Sequence, residues 1–259
     1  MNIENVEIGQ GQPCRFVAEI SNNHNGDFAR ALRLITAAKD AGADFVKFQC
    51  YTPQELIDLR GDGPAPEPWG SQGWSMRQLY RKASTPLEWF PDLFHYARDL
   101  EIVPFSSVFG LESLVVLESV KCPAYKIARL DNQSKRLIDT ASAQGKPVII
   151  SSYDRHELVD YNSGVMRLFC PPGYPPEIKD VCLPLFDRWK IDNWNFIGLS
   201  SHCLAPELPV AAVARGCKLI EMHFMLGDEP SELESEVSLT EHEYRDMVDS
   251  VRATEAMLA

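Results

Sequence analysis

The most constraining feature of this sequence is an alternation. Eight times between Arg15 and Phe224 a short apolar run, rich in Val, Ile and Phe, is followed by a polar or helix-patterned segment. Runs of that composition suit strands covered on both faces, as in a parallel sheet. Strands are expected at Arg15–Ser21, Asp44–Tyr51, Ile102–Val108, Ala124–Arg129, Pro147–Tyr153, Val165–Cys170, Asn195–His202 and Lys218–Phe224. Eight strand-helix units in 259 residues point to an α/β fold, a (β/α)8 TIM barrel over residues 1–259, a single domain with a long loop between the second strand and the second helix. A doubly wound open sheet is the alternative, because periodicity does not report closure.

The intervening segments carry helix signals. Asp27 is placed to cap a helix whose apolar face recurs at Ala31, Leu34, Ile35 and Ala38 and which stops at Gly42. Thr85-Pro86 reads as cap and first helical residue of a helix reaching Leu100. Further helices are expected near 111–119, 133–143, 154–162, 178–190, 206–215 and 240–257. Residues 52–84, with Pro, Gly and Trp clustered around Gly61–Trp69, read as a lid or a disordered segment, and Trp69 and Trp74 favour docking.

Composition narrows the function. A formal charge of −12 opposes a general nucleic-acid or anionic-membrane surface, so an anionic ligand would need a local cluster of cations and main-chain donors. No apolar run has transmembrane length and the first residues lack signal-peptide character, so the cytoplasm is expected. The seven scattered cysteines lack a C-x-x-C pair and fit reduced core thiols.

Polar residues gather at the strand ends. Period-2 alternation places Glu19 with Ser21, Lys47 with Gln49, Ser200 with His202, and Glu221 with His223 on shared faces, while Ser107, Lys126 and Ser151 stand near the ends of three other strands. The interior of such a barrel is ordinarily filled by Val, Ile and Leu, and its active site is built at the C-terminal strand ends. Lys47 or Lys126 taken singly also suits an end-of-strand cation reaching water, and His24 suits a turn as well as a ligand. His95, His156 and His242 read as surface residues, and the acidic run 227–236 as a solvated loop. Two lysines at one rim call for an anionic ligand or for partners such as Glu19 and Glu221.

The ordered segments Ala18–Gly26, Ala41–Gln49, Phe105–Phe109, Tyr125–Ala128, Lys146–Ser151, Gly198–His202 and Glu221–Phe224 together resemble the sialic acid (N-acetylneuraminate) synthase family, with its pseudaminic and legionaminic acid relatives. The resemblance covers nearly the whole chain. It implies a barrel that condenses phosphoenolpyruvate with an aldose acceptor such as an N-acylated sugar, releases phosphate and uses a divalent metal, Mn2+ or Mg2+. It implies metal binding by His202 and His223, phosphoenolpyruvate binding by Lys47, Ser107, Lys126, Ser151 and Ser200, sugar contacts from Gln49, Tyr174 and Glu234, and a reacting-centre carboxylate in Glu19. Glu221 joins the expected substrate-binding set. It also allows a homodimer.

Three departures accompany the resemblance. Arg129 stands where the family commonly has Ser, and adds a phosphate contact or obstructs the pocket. Pro172 replaces an Asn that contacts phosphoenolpyruvate. The family's C-terminal antifreeze-like domain is expected to be absent, and with it its contacts with the sugar. A barrel aldolase or lyase with another donor, and a non-catalytic binding barrel, are the competing functions.

Overall fold

The computed structural model describes residues 1–154, 165–191 and 196–259. Eight parallel strands close on themselves: β1 (Arg15–Glu19), β2 (Phe45–Cys50), β3 (Val103–Val108), β4 (Tyr125–Ile127), β5 (Val148–Ser152), β6 (Val165–Phe169), β7 (Phe196–Ser201) and β8 (Leu219–Met225). Each pairs with the next, and β8 pairs with both β7 and β1, which makes the sheet a barrel and removes the open-sheet alternative. A short strand, Ser238–Thr240, adds to β8 outside the ring, and an antiparallel hairpin, Asn2–Ile3 with Val6–Glu7, precedes β1. All eight expected strands exist, most with shorter ends.

The helices follow from local chemistry. Asp27 accepts from the amides of Ala29 and Arg30 to open the helix Phe28–Asp40, which buries Ala31, Leu34, Ile35 and Ala38. Gly42 ends it at φ +94°, where a side chain would also crowd Val248. The last helix, Glu241–Leu258, opens on a capping box between Thr240 and Glu243.

Several boundaries differ from the sequence reading. Residues 52–84 are not a bare loop: they hold two helices, Pro53–Arg60 and Met76–Ala83, each opened by a capping box, Thr52 with Glu55 and Ser75 with Gln78. A small apolar cluster of Tyr51, Leu56, Ile57, Tyr80 and Phe109 seats this insertion on the barrel, and Arg60 grips the buried Asp131 with two hydrogen bonds of 2.9 and 2.6 Å. The expected helix from Pro86 begins as a 3-10 turn, Leu87–Trp89, before Phe90–Asp99. The expected helix 178–190 is a 3-10 turn, Ile178–Asp180, then Leu183–Ile191, parted where Cys182 takes φ +44°. The expected helix 154–162, with His156, lies outside the described residues. All seven cysteines are free and only Cys182 is exposed.

Candidate active site

Register aligns the polar residues. Across neighbouring strands His223 pairs with Glu19, Glu19 with Lys47, and Glu221 with Ser200, while Gln49 pairs with Ser107 and Ser107 with Lys126. Gly198 permits the approach of β7 to β8, since a Cβ there would collide with the Leu219 carbonyl. At the C-terminal strand ends opens a cavity of about 380 Å³. The residues expected to bind metal, donor or sugar line it: Glu19, Lys47, Gln49, Ser107, Lys126, Arg129, Ser151, Tyr174, Ser200, His202, Glu221, His223 and Glu234. A second cavity, about 300 Å³, lies against the helices Pro53–Arg60, Leu111–Ser119 and Lys135–Ser142 and holds none of them.

One side of the mouth holds two lysines and the two carboxylates that pair with them. Lys47 and Lys126 are both buried, at 3% and 2% exposure, so neither is a strand-end cation reaching water. Both ammoniums stand 3.5 Å from the same Glu221 oxygen, which also accepts from the Ser200 hydroxyl at 2.9 Å. Lys47 forms a close ion pair with Glu19 and donates to Ser107 Oγ at 3.2 Å, while Lys126 donates to Ser151 Oγ at 2.6 Å. Burial works hardest against the charge on both lysines. Glu19 and Glu221 overcome it for Lys47, whose pKa is raised, whereas Lys126 keeps a lowered pKa. The Glu221 carboxyl resists burial and is held down at about 2, chiefly by Lys126 and then Lys47. Arg129 opens the turn Arg129–Asp131 after β4, with its guanidinium 5.9 Å from the Tyr153 ring centre, and lines the mouth without closing it.

The other side is built from imidazoles and carboxylates. His202 and His223 have ring centres 5.1 Å apart, and the Tyr174 ring lies 4.5 and 5.7 Å from them. Tyr174 leaves half its surface open, 50%, yet its hydroxyl donates to the buried Glu234, which also accepts from Ser21 at 2.9 Å. Gln49 bridges Glu19 and Ser21 at 3.2 and 2.9 Å. Burial, and next the neighbouring His223, push His202 down to about 3, so its ring is neutral. Burial also opposes charge on His223, but Glu234 and Glu19 outweigh it and raise its pKa. Glu234, opposed by burial, is held at about 2 chiefly by His223.

His202, His223 and Glu234 are donor types that divalent ions accept. His202 keeps a ring lone pair, and His223 Nδ1 and Glu234 Oε2 stand 3.3 Å apart, buried, without a hydrogen bond. Among the described residues no three His, Cys, Asp or Glu groups converge as a complete cage, so the remaining positions would fall to water or substrate oxygen.

The structure corrects the surrounding readings. The acidic run 227–236 is not wholly solvated: Glu234 is buried and Glu229 pairs with Arg30 and Arg33, while Asp228, Glu232 and Glu236 are exposed. His24 belongs to the turn after β1. It accepts from Gly26 N at 3.0 Å, meets Thr85 Oγ1 at 3.1 Å and is buried. Pro172 does not line the cavity. Sequence reasoning missed a wall formed by Tyr51, Trp69, Tyr80 and Phe109, together with Asn22. The tryptophan was the visible signal for that wall. His95 and His242 are exposed, and no helix among the described residues is long and apolar enough to cross a membrane.

Comparison with known proteins supplies the frame. A model described as the NeuB family matches residues 34–259. The chain is 36% identical to a pseudaminic acid synthase of Helicobacter pylori and 35% identical to one of Campylobacter jejuni, in both cases over 93% of this chain and 74% of the relative. It superposes with a TM-score of 0.85 on the crystal structure of an N-acetylneuraminic acid (sialic acid) synthetase from Leptospira borgpetersenii in complex with citrate. That match has 25% identity and covers 100% of this chain and 90% of the other. With its barrel closed, its strand-end residues gathered in one mouth and most of its length matched, this chain belongs to the NeuB family.

Proposed function

We propose that the protein condenses phosphoenolpyruvate with an open-chain N-acylated aldose, taking up water and releasing inorganic phosphate, to give a 2-keto-3-deoxy sugar acid of the nonulosonic type. One observation carries this reading. Two buried ammoniums share a single carboxylate on one side of the mouth, with hydroxyls from Ser107, Ser151 and Ser200 beside them, and face a histidine pair on the other. A small dianion suits the first side and a polarised aldehyde the second.

The residues divide the work. Lys47, Lys126, Arg129 and the three serines hold the phosphate and carboxylate of the donor and stabilise phosphate as it leaves. The donor's enol carbon attacks the aldehyde carbon, and water adds at the donor's second carbon. Glu19, buried between Lys47 and Gln49, orients that water and accepts its proton. Gln49, Tyr174 and Glu234 offer donors and acceptors to the sugar, and Glu221 keeps the two lysines in register. A divalent ion, Mn2+ or Mg2+, would be held by His202 and His223 with Glu234 alongside, and would supply Lewis acidity at the aldehyde oxygen.

The relatives' names, pseudaminic acid synthase and N-acetylneuraminic acid synthetase, support this substrate class. The test is phosphate release from phosphoenolpyruvate with Mn2+ and a panel of N-acylated hexoses, singly and doubly acylated, with and without the C6 hydroxyl. Acceptor-dependent release is expected. Its absence across the panel, or pyruvate formed from 2-keto acids without phosphoenolpyruvate, overturns the reading.

A further inference from the structure

The turn that follows β1 holds a carboxamide with nothing to bind. Asn22 is only 7% exposed, lines the cavity, and its side chain is bonded to no protein group among the described residues; its Oδ1 is buried without a partner. Leaving such a group unsatisfied carries a desolvation cost, so a buried amide aimed into a cavity invites a ligand.

The backbone around it is held in place. Ser21 sits at φ +46°, left-handed and unfavourable for a residue with a Cβ, and this is where the chain leaves the strand and turns Asn22 inward. The neighbouring side chain goes the other way. Asn23 Nδ2 donates to Phe224 O at 2.8 Å and to Ser238 Oγ at 2.9 Å, and Arg30 Nε donates to Asn23 O at 2.6 Å. Asn25 then ties the turn to the loop after β8, donating to Pro230 O at 3.2 Å and accepting from Glu232 N at 3.0 Å. Contacts from Asn23 and Asn25 fix the turn, and the remaining asparagine, Asn22, faces the cavity.

Position names the ligand. β1 lies across the ring from β5, whose Ser151 meets Lys126, and it is flanked by β2, with Lys47 and Gln49, and by β8, with His223. Asn22 therefore stands on the side of the mouth away from the Lys126 and Ser151 anion contacts. We infer that Asn22 is a specificity-determining residue that hydrogen-bonds a hydroxyl or acylamino group of the aldose acceptor, with its turn preformed for that purpose. This rests on the synthase reading above.

The test is Asn22→Ala, with Asn22→Ser as a second variant, assayed with the best acceptor of the N-acylated hexose panel. Loss of one uncharged hydrogen bond predicts a roughly 2- to 12-fold rise in KM for the acceptor. KM for phosphoenolpyruvate should hold, and the melting temperature should not fall, because no protein partner is lost. An unchanged acceptor KM overturns the inference, as does a rise in both KM values with a lowered melting temperature or failure of both variants to fold. A parent protein without acceptor-dependent phosphate release overturns the synthase reading itself, whereas an active parent with an indifferent Asn22→Ala overturns only the role of Asn22.

Discussion

Replacing Lys126 by Met separates binding from stability. The ammonium is buried, bonded to Ser151 Oγ at 2.6 Å and 3.5 Å from the Glu221 carboxylate. At an effective dielectric near 20 that attraction is worth about 5 kcal/mol, while removing an ammonium from water costs several kcal/mol. The lowered pKa of Lys126 states the balance: the folded protein holds its charged form less well than the unfolded chain does. The charge on Lys126 is thus no net source of stability, and Glu221 retains Lys47 at 3.5 Å when it goes. The substitution should change folding stability by less than about 2 kcal/mol, because the loss to Glu221 offsets the relief of burial. Donor binding should suffer far more. A charge-assisted hydrogen bond contributes about 1.5–3 kcal/mol, which predicts a roughly 10- to 150-fold rise in KM for phosphoenolpyruvate with acceptor KM little changed. Steady-state kinetics with each substrate varied, alongside urea unfolding, read both quantities. A large loss of stability with donor KM intact would refute the reasoning, since Lys126 would then be a structural ion-pair partner.

Other consequences follow from the same geometry. His202→Ala and His223→Ala should each lower bound Mn2+ in metal analysis and abolish phosphate release; variants that retain parental metal content would remove the histidines from the ion's site. Gly198→Ala should cost about 3 kcal/mol or more by forcing β7 from β8, read as a fall in the urea midpoint, because the added Cβ meets the Leu219 carbonyl rather than a side chain that can move. Burial, the main influence, lowers His24 to about 4, so the unfolded chain binds more protons between pH 6.5 and 4. Its contribution is complete above pH 6.5 and falls by roughly 3 kcal/mol as pH drops through that window. His24→Asn should therefore flatten the acid limb of the stability profile, and an unchanged limb would show that His24 is not its source.

The barrel was legible because each strand is covered on both faces and reads as an apolar run ending in a polar tip. The gathering of polar groups at one mouth was legible for the same reason: Lys47, Lys126, His202 and His223 each interrupt a pattern that packing alone would fill with Val or Ile. Residues 52–84 were harder. The helix Pro53–Arg60 buries only Leu56 and Ile57, so its periodicity is faint, although Thr52 and Glu55 already spelled a capping box. In the run 227–236 the letters alone do not separate Glu234 from its exposed neighbours; the contacts with Ser21, Tyr174 and His223 do, and those come from three distant parts of the chain. Asn22 could not be told from Asn23 by composition. Their opposite roles depend on the left-handed Ser21 and on partners supplied by the end of β8 and the short strand beside it.

The most direct measurement joins two labels. Phosphoenolpyruvate carrying 13C at its methylene carbon, incubated with Mn2+, the protein and an N-acylated hexose labelled at C1, should yield a product whose two enriched carbons show one-bond 13C–13C coupling, with one phosphate released per coupled pair. Label recovered only in unreacted donor or in the methyl group of pyruvate, with no coupled carbon pair from any acceptor, would contradict carbon–carbon bond formation at this mouth.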